Sequence, residues 1–363
     1  MVYLDYSATC PVVKYPQLLY TKLYCDTAGR ECFLNPNANY AYKEKRLLSE
    51  AENRVKKAIG AKGGKVIFGG TSSQLIENLM TAIDEQTNYR HVICSAFEHD
   101  NFFRHGNVIG YSKKDLLNKL QIAKEYVTEA QKFVVWQGVN NLTGEIFPIV
   151  DIGNACHQYD VSYICDMTAM IGKVPIPANI DQWCDCAMWS GHKLGTELGI
   201  GAMWISDHLD EWLNGFKLHG TPNLAGALAL TQAVEDACDV KYLSVSTNRY
   251  NNLYDNLFYI LKKHSIDFQV IDGNIKTCAI NAIRLPGFNA DALQQYLASK
   301  QIYISIGGSA CAEKHDYRVL NAYGLSNDEA SEVIRVSFGE DSSVEDVEAL
   351  VEGIKNFKEL YLK

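Results

Sequence analysis

Several side chains with chemical potential fall at the ends of apolar runs. Lys193, within Ser190-Gly191-His192-Lys193, is an amine that could form a Schiff base if burial and neighbours poise it; a solvated loop lysine is the plainer reading. Asp166 closes the apolar run Ser162 to Asp166, where an unpaired carboxylate is costly. It therefore calls for a cationic or N–H partner, either structural or on a bound cofactor. His99 follows Glu98 and suits both a satisfied structural imidazole and a proton carrier. Gly69-Gly70-Thr71-Ser72-Ser73 stands where a strand passes into a helix, which makes an anion cradle or a simple N-cap. It has neither the lysine of a Walker loop nor the GxGxxG spacing of dinucleotide folds. Arg335, inside Val333-Ile334-Arg335-Val336-Ser337, must meet a carboxylate, of the protein or of a substrate. Cys311 follows the small residues Gly307 to Ala310, and Lys314 and His315 nearby favour its thiolate.

The elements that must hold these groups are legible as apolar runs and helical periodicities. Buried strands are expected at 65–70, 91–97, 132–139 and 162–166, rich in Val, Ile and aromatics. Helices are expected between them, at 42–59, 73–84, 114–127 and 150–159. Such alternation implies a mostly parallel α/β sheet covered by helices on both faces. Two further strands, 187–190 and 199–205, are joined by a turn containing His192-Lys193 with no helix between, which fits one antiparallel strand in that sheet. Helices follow at 223–238 and 243–263, then strand, strand, helix and strand at 267–271, 278–285, 291–299 and 303–306. A capping-box pattern, Ser342-Ser343-Val344-Glu345, opens a final amphipathic helix. The expected division is a large domain over 15–240 and a smaller α+β domain built from 1–14 and 241–363. Thr71 to Ser73, Glu98-His99, Asn140-Asn141 and Asp166 all fall after strands, where open α/β sheets bind ligands.

Composition excludes several classes. With 363 residues, 47% hydrophobic and 21% charged, the chain can bury a large core, so it is neither disordered nor a disulfide-stapled module. A net charge of −9 gives no general attraction to nucleic acid or anionic membrane. Eleven cysteines, an odd number with no CxxC pair, argue against zinc ribbons and thioredoxin chemistry. Cys184 and Cys186 alternate on one strand without further ligands, so no metal is expected. No apolar run spans a bilayer and no leader pattern opens the sequence, which points to a reducing cytoplasm.

Taken in order, these segments resemble the cysteine desulfurases of the class V aminotransferase family, fold-type I pyridoxal-phosphate enzymes. Tyr3-Leu4-Asp5-Tyr6-Ser7-Ala8-Thr9 looks like that family's Y-L-D-N-A-A-T, Glu98-His99 its E-H, and Val139 to Gly144 its V-N-N-E-x-G. Asp166 to Lys173 is similar to D-A-A-Q-x-x-G-K, Ser190 to Lys193 to S-x-H-K, Gly308 to Cys311 to G-S-A-C, and Ile334 to Gly339 to I-R-x-S-x-G. One such motif is weak; seven in order are specific. The resemblance implies that Lys193 would hold pyridoxal 5'-phosphate covalently and move protons on the substrate. Asp166 would bind the pyridine nitrogen, His99 would stack on the ring and assist proton transfer, and Asn141 would contact the ring edge and substrate. Ser72, Ser73, Ser190 and His192 would hold the phosphate, with Thr221 reaching the partner's phosphate in a homodimer. Arg335 would clamp the carboxylate of L-cysteine or a related amino acid. Cys311 would take the sulfur as a persulfide for an acceptor protein, such as an iron–sulfur scaffold, leaving alanine.

The sequence also departs from the family pattern. Ala169 stands where the family has Gln, Ser73 for its Thr, and Gln74 for its Glu. The stretch before Thr221 is reduced, with Leu218 in place of an arginine flanked by Lys217 and His219. The loop after Cys311 is shorter than in the long-loop desulfurases. Two other readings therefore stand beside the desulfurase: an aminotransferase or lyase acting on another amino acid, and a non-catalytic paralogue.

Overall fold

The computed structural model describes residues 1–12, 35–87, 90–126, 131–273, 275–307 and 316–361; Cys25, Cys32 and Cys311 lie outside these. The chain divides into two compact units, Pro11–Gly138 with Pro148–Tyr242, and Met1–Cys10 with Val139–Phe147 and Leu243–Lys363. The second unit owns the first strand, β1 (Val2–Tyr3).

The larger unit follows the expected alternation. Helix α1 (Tyr42–Ala58) leads to β2 (Lys65–Gly69), α2 (Ser72–Gln86) and β3 (Arg90–Ser95). One turn of helix, α3 (Asp100–Phe103), precedes β4 (Val108–Gly110), a short edge strand that its three residues give too little pattern to announce. Then come α4 (Lys113–Tyr126), β5 (Gln131–Val135), α5 (Ile149–Gln158), β6 (Ser162–Asp166), β7 (Cys186–Ser190) and β8 (Gly201–Ile205). The unit closes with α6 (Asp207–Trp212) and α7 (Leu224–Cys238). The seven strands lie in the order β2-β8-β7-β6-β5-β3-β4. Strands β3 to β7 pair in parallel, and β8 runs antiparallel to both β7 and β2. The β7–β8 connection is therefore the hairpin that the missing helix foretells. It also leaves β2 pointing the same way as β7, so its carboxyl end joins the others on one edge.

Alternation along the strands builds the core. Phe133, Val135, Ile164, Cys186 and Met188 face α2, which presents Leu75, Ile76, Leu79, Met80 and Ile83 at helical spacing. Each such side chain, fully buried, contributes about 1.5–3 kcal/mol. That packing fixes where the first turn of α2 sits against the sheet edge.

The smaller unit contains α8 (Val240–Lys263), β9 (Gln269–Ile271), β10 (Ile280–Arg284), α9 (Ala290–Ser299), β11 (Ile302–Tyr303) and β12 (Ser305–Ile306). It ends with α10 (Arg318–Ala322), α11 (Asn327–Ala330), β13 (Val333–Ser337) and α12 (Val344–Tyr361). Its four-stranded sheet, ordered β12-β13-β10-β9, is antiparallel throughout. Two sequence expectations are corrected here. The strand expected over 303–306 breaks at Ile304: β11 pairs with β1, while β12 pairs with β13. The box capping α12 sits one residue later than the Ser342/Glu345 pattern. Ser343 Oγ accepts from Asp346 N at 3.2 Å, and Ser343 N donates to Asp346 Oδ2 at 3.0 Å. Ser342 turns back instead, its hydroxyl accepting from Gly339 N. No helix among the described residues is long and apolar enough to cross a membrane.

Candidate active site

On the large sheet, β2, β3, β6 and β7 end at the same edge, and each delivers a polar residue there. Adjacent strands are about 4.8 Å apart, so the ends of β6 and β7, carrying Asp166 and the Ser190–Lys193 turn, are immediate neighbours. Their register sets Asp166 opposite Met188, two residues before Ser190.

After β7 the chain makes one tight turn, Gly191–Lys193, with Leu194 N donating to Gly191 O at 2.8 Å. A Cβ at Gly191 would lie 2.3 Å from Thr196 Oγ1 and 2.9 Å from Ile200 O, so only glycine lets the turn press against β8. That close pass holds His192 and Lys193 half-buried at the strand end rather than in an open loop. Burial, with the Lys193 charge beside it, pushes the His192 imidazole down to about 4, so the ring is neutral at pH 7. A neutral ring both accepts and donates hydrogen bonds.

The start of α2 separates its cap from the amides that follow it. Thr71 is the N-cap, its Oγ1 accepting from Gln74 N at 3.1 Å. The first-turn amides of Ser72 and Ser73 find no acceptor among the described residues. Two open N–H groups at the positive end of a fifteen-residue helix suit a phosphate. A Cβ on Gly201 would stand 3.0 Å from Ser72 N, which shows how closely the β8 backbone approaches this turn. Capping, one of the two alternatives in the sequence, falls to Thr71.

His99 is anchored to the same cradle. Asn101 N donates to His99 Nδ1 at 3.3 Å, while Asn101 Nδ2 donates to Ser73 Oγ. The Asn101 N–H thus makes Nδ1 the accepting nitrogen of the ring. Behind His99, Glu98 is fully buried and its Oε1 accepts from Gln137 N at 2.5 Å, tying the β3 turn to the segment after β5. Neither Asn101 nor Gln137 carries a motif that sequence reasoning could have found; their contacts are set by tertiary placement alone.

Asp166 receives an N–H partner, Thr168 N at 2.8 Å to Oδ1. No cation reaches it among the described residues. Thr221 is exposed, and its hydroxyl accepts from Asn35 Nδ2 at 3.3 Å.

The other two predicted residues belong to the smaller unit. Asn140 Oδ1 accepts from the amides of Leu142 and Thr143, both at 2.9 Å, and so builds the turn. The Asn141 carboxamide, by contrast, has no hydrogen bond to the described residues, while its carbonyl accepts from Ser7 Oγ and Arg335 Nη1. Arg335, 5% exposed on β13, finds a protein carboxylate: Nη2 donates to Asp5 Oδ1 at 2.8 Å and to Ser305 Oγ at 2.9 Å. Asp5 was not among the sequence candidates, because 330 residues separate it from Arg335.

The cysteines divide by environment. Burial pushes the thiols of Cys156, Cys165, Cys184 and Cys186 far above their usual range and that of Cys238 up to about 12. Such thiols do not ionise near neutrality and behave as small core hydrophobes.

The donor set fits pyridoxal phosphate: an open anion cradle, a carboxylate and a lysine on adjacent strand ends, and an imidazole held to the cradle. The chain is 26% identical over 377 residues to a cysteine desulfurase, IscS, of Proteus mirabilis, covering 97% of this chain and 91% of the relative. A probable mitochondrial cysteine desulfurase of Dictyostelium discoideum is 26% identical over 379 residues, covering 98% and 82%. Among solved structures, a NifS-like protein from Rickettsia africae superposes with a TM-score of 0.83 at 21% identity over 99% of this chain and all of that one. SspA, solved in complex with cysteine, superposes with a TM-score of 0.71 at 22% identity over 93% of this chain and 99% of its own. The aminotransferase class-V family matches residues 2–350. The chain is a member of the aminotransferase class-V family.

Proposed function

We propose that the chain is a pyridoxal-phosphate-dependent cysteine desulfurase, converting L-cysteine to L-alanine and passing the sulfur to an acceptor protein. The observation that carries this reading is the α2 cradle, whose two first-turn amides have no acceptor among the described residues and share a sheet edge with Lys193, Asp166 and His99. Bound there, the cofactor supplies an electron sink for carbanion chemistry at the substrate Cα.

The Ser72 and Ser73 amides, with Ser190 and neutral His192, hold the phosphate, and Thr221 serves the partner's phosphate in a homodimer. Asp166 keeps a carboxylate oxygen for the pyridine N–H while Thr168 N steadies the other. Lys193 holds the cofactor and moves the proton at Cα. His99, held to the cradle through Asn101, assists proton transfer at the cofactor. Arg335 receives the substrate carboxylate with the Asn141 carboxamide beside it. Cys311 as thiolate attacks the substrate sulfur; the S–S bond forms as the C–S bond breaks, and the carbon takes a proton to give alanine. Buried thiols elsewhere do not compete.

The test is anaerobic incubation with L-cysteine followed by mass spectrometry of the peptide containing Cys311. One added sulfur on Cys311 is expected, and Cys311→Ala should keep the cofactor colour but lose sulfide release. Sulfide release equal to wild type in that variant refutes the nucleophile assignment. Ala169 favours a second reading: it is buried at 5% exposure and brings no hydrogen bond where the family pattern has Gln. An amino-acid panel decides between them, with faster turnover on a substrate other than cysteine supporting an aminotransferase or lyase.

A further inference from the structure

Arg335 is held in a way that limits what it can offer. Its guanidinium has five N–H groups, and both forks able to grip a carboxylate with two bonds use Nη2. Both Nη2 hydrogens are engaged, by Asp5 Oδ1 at 2.8 Å and by Ser305 Oγ at 2.9 Å. The Ser305 hydroxyl in turn lies 2.8 Å from each Asp5 oxygen, so the carboxylate is anchored as well as paired. Nη1 gives one hydrogen to Asn141 O at 3.1 Å, and Nε is buried with no partner among the described residues. The backbone locks the arrangement. Ser337 N donates to Leu4 O at 2.8 Å and Ser7 N to Ser337 Oγ at 2.8 Å, fastening residues 4–7 along β13 beside Arg335.

We infer that Asp5 is a positioning residue that sets the affinity of Arg335 for a carboxylate substrate. It supplies the counter-charge that lets the guanidinium stay buried, and by occupying Nη2 it denies an incoming carboxylate the two-pronged grip. The proposal rests on Arg335 being the carboxylate receptor. Asp5 thus trades substrate affinity for a folded, preset arginine. An unpaired arginine at this burial would weaken the fold, whereas a paired one binds a second anion weakly.

Asp5→Asn tests this, because a neutral amide oxygen holds Nη2 more weakly than a carboxylate and yields it to an incoming carboxylate. In the cofactor-loaded protein, KM for L-cysteine is expected to fall three- to tenfold with kcat within twofold of wild type. The dissociation constant for L-alanine, read from the cofactor absorbance without turnover, should fall in parallel while the melting temperature drops. A KM and an alanine affinity that stay unchanged or weaken overturn the proposal, since a merely structural role would lower stability alone. If Asp5→Asn does not fold, Ser305→Ala reads the same quantities. It frees one Nη2 hydrogen with both charges kept, and a KM that fails to fall two- to fivefold overturns the proposal equally. Arg335→Lys separates this failure from that of the underlying assignment: it should raise KM at least tenfold. An unmoved KM in Arg335→Lys refutes the receptor role itself.

Discussion

The α2 cradle and the Arg335 strand hold polar groups in opposite states. At the cradle, Thr71 takes care of capping, and the Ser72 and Ser73 amides have no acceptor among the described residues. At β13, the chain itself provides Asp5, Ser305 and Asn141 for the guanidinium. The difference follows from charge and burial. Amide donors at a partly exposed helix end can wait in water at little cost, whereas a guanidinium at 5% exposure cannot be left unpaired. Neutral donors can thus be left open within one unit while a buried charge in the other is paired internally.

Substitutions at the two places should break this contrast in different ways. The largest effect is expected for Lys193→Ala, with turnover down by more than about 10³-fold and the cofactor's covalent absorbance band lost. Folding should survive, because Lys193 lies in a turn and not in the apolar core. Arg335→Leu is next: removing one partner leaves Asp5 half-buried beside apolar surface, costing about 3 kcal/mol in chemical denaturation. Asn101→Ala should be milder, since it cuts the bond to Ser73 while the backbone N–H to His99 persists. A cofactor affinity lower by about tenfold, measured by absorbance titration at nearly unchanged stability, would sharpen the view that the cradle and His99 act together. An unchanged affinity would separate them.

The smallest effects are on pH dependence, and two histidines of the large unit act with opposite sign. Burial lowers His192 to about 4, so from pH 6.5 down to 4 the unfolded chain binds the extra proton and stability falls with pH. His157 Nε2 lies 2.9 Å from Asp185 Oδ2, which raises its pKa. Its contribution is complete below 6.5 and is lost as pH rises through the folded value. Both effects are small, because the two rings are partly exposed and solvent screens them. Thermal melts of His192→Asn should flatten the acid limb and those of His157→Asn the neutral limb. Melts of the two variants that run parallel to wild type would refute both assignments.

Much of the large unit was legible because its signals are local. Runs such as Ser162–Asp166 and Cys186–Ser190 carry their own burial pattern, and the strand without a following helix announced the antiparallel β8. The break at Ile304 was not legible, since β11 and β12 are separated only by which distant strand each meets. The capping of α12 failed for a related reason. Two adjacent serines with acids at matching spacings satisfy the same pattern, and only the turn at Gly339 assigns Ser342 elsewhere.

By itself, then, the sequence determined the order of elements and which chemical groups stand after which strands, because periodicity, turn residues and caps act over a few positions. Tertiary structure decided how those groups are partnered. It left the α2 amides open, fastened His99 to Ser73 through Asn101, and brought Asp5 across 330 residues to Arg335. No local rule encodes such pairs. They arise when a buried charge or donor must be satisfied by whatever the packed chain places beside it.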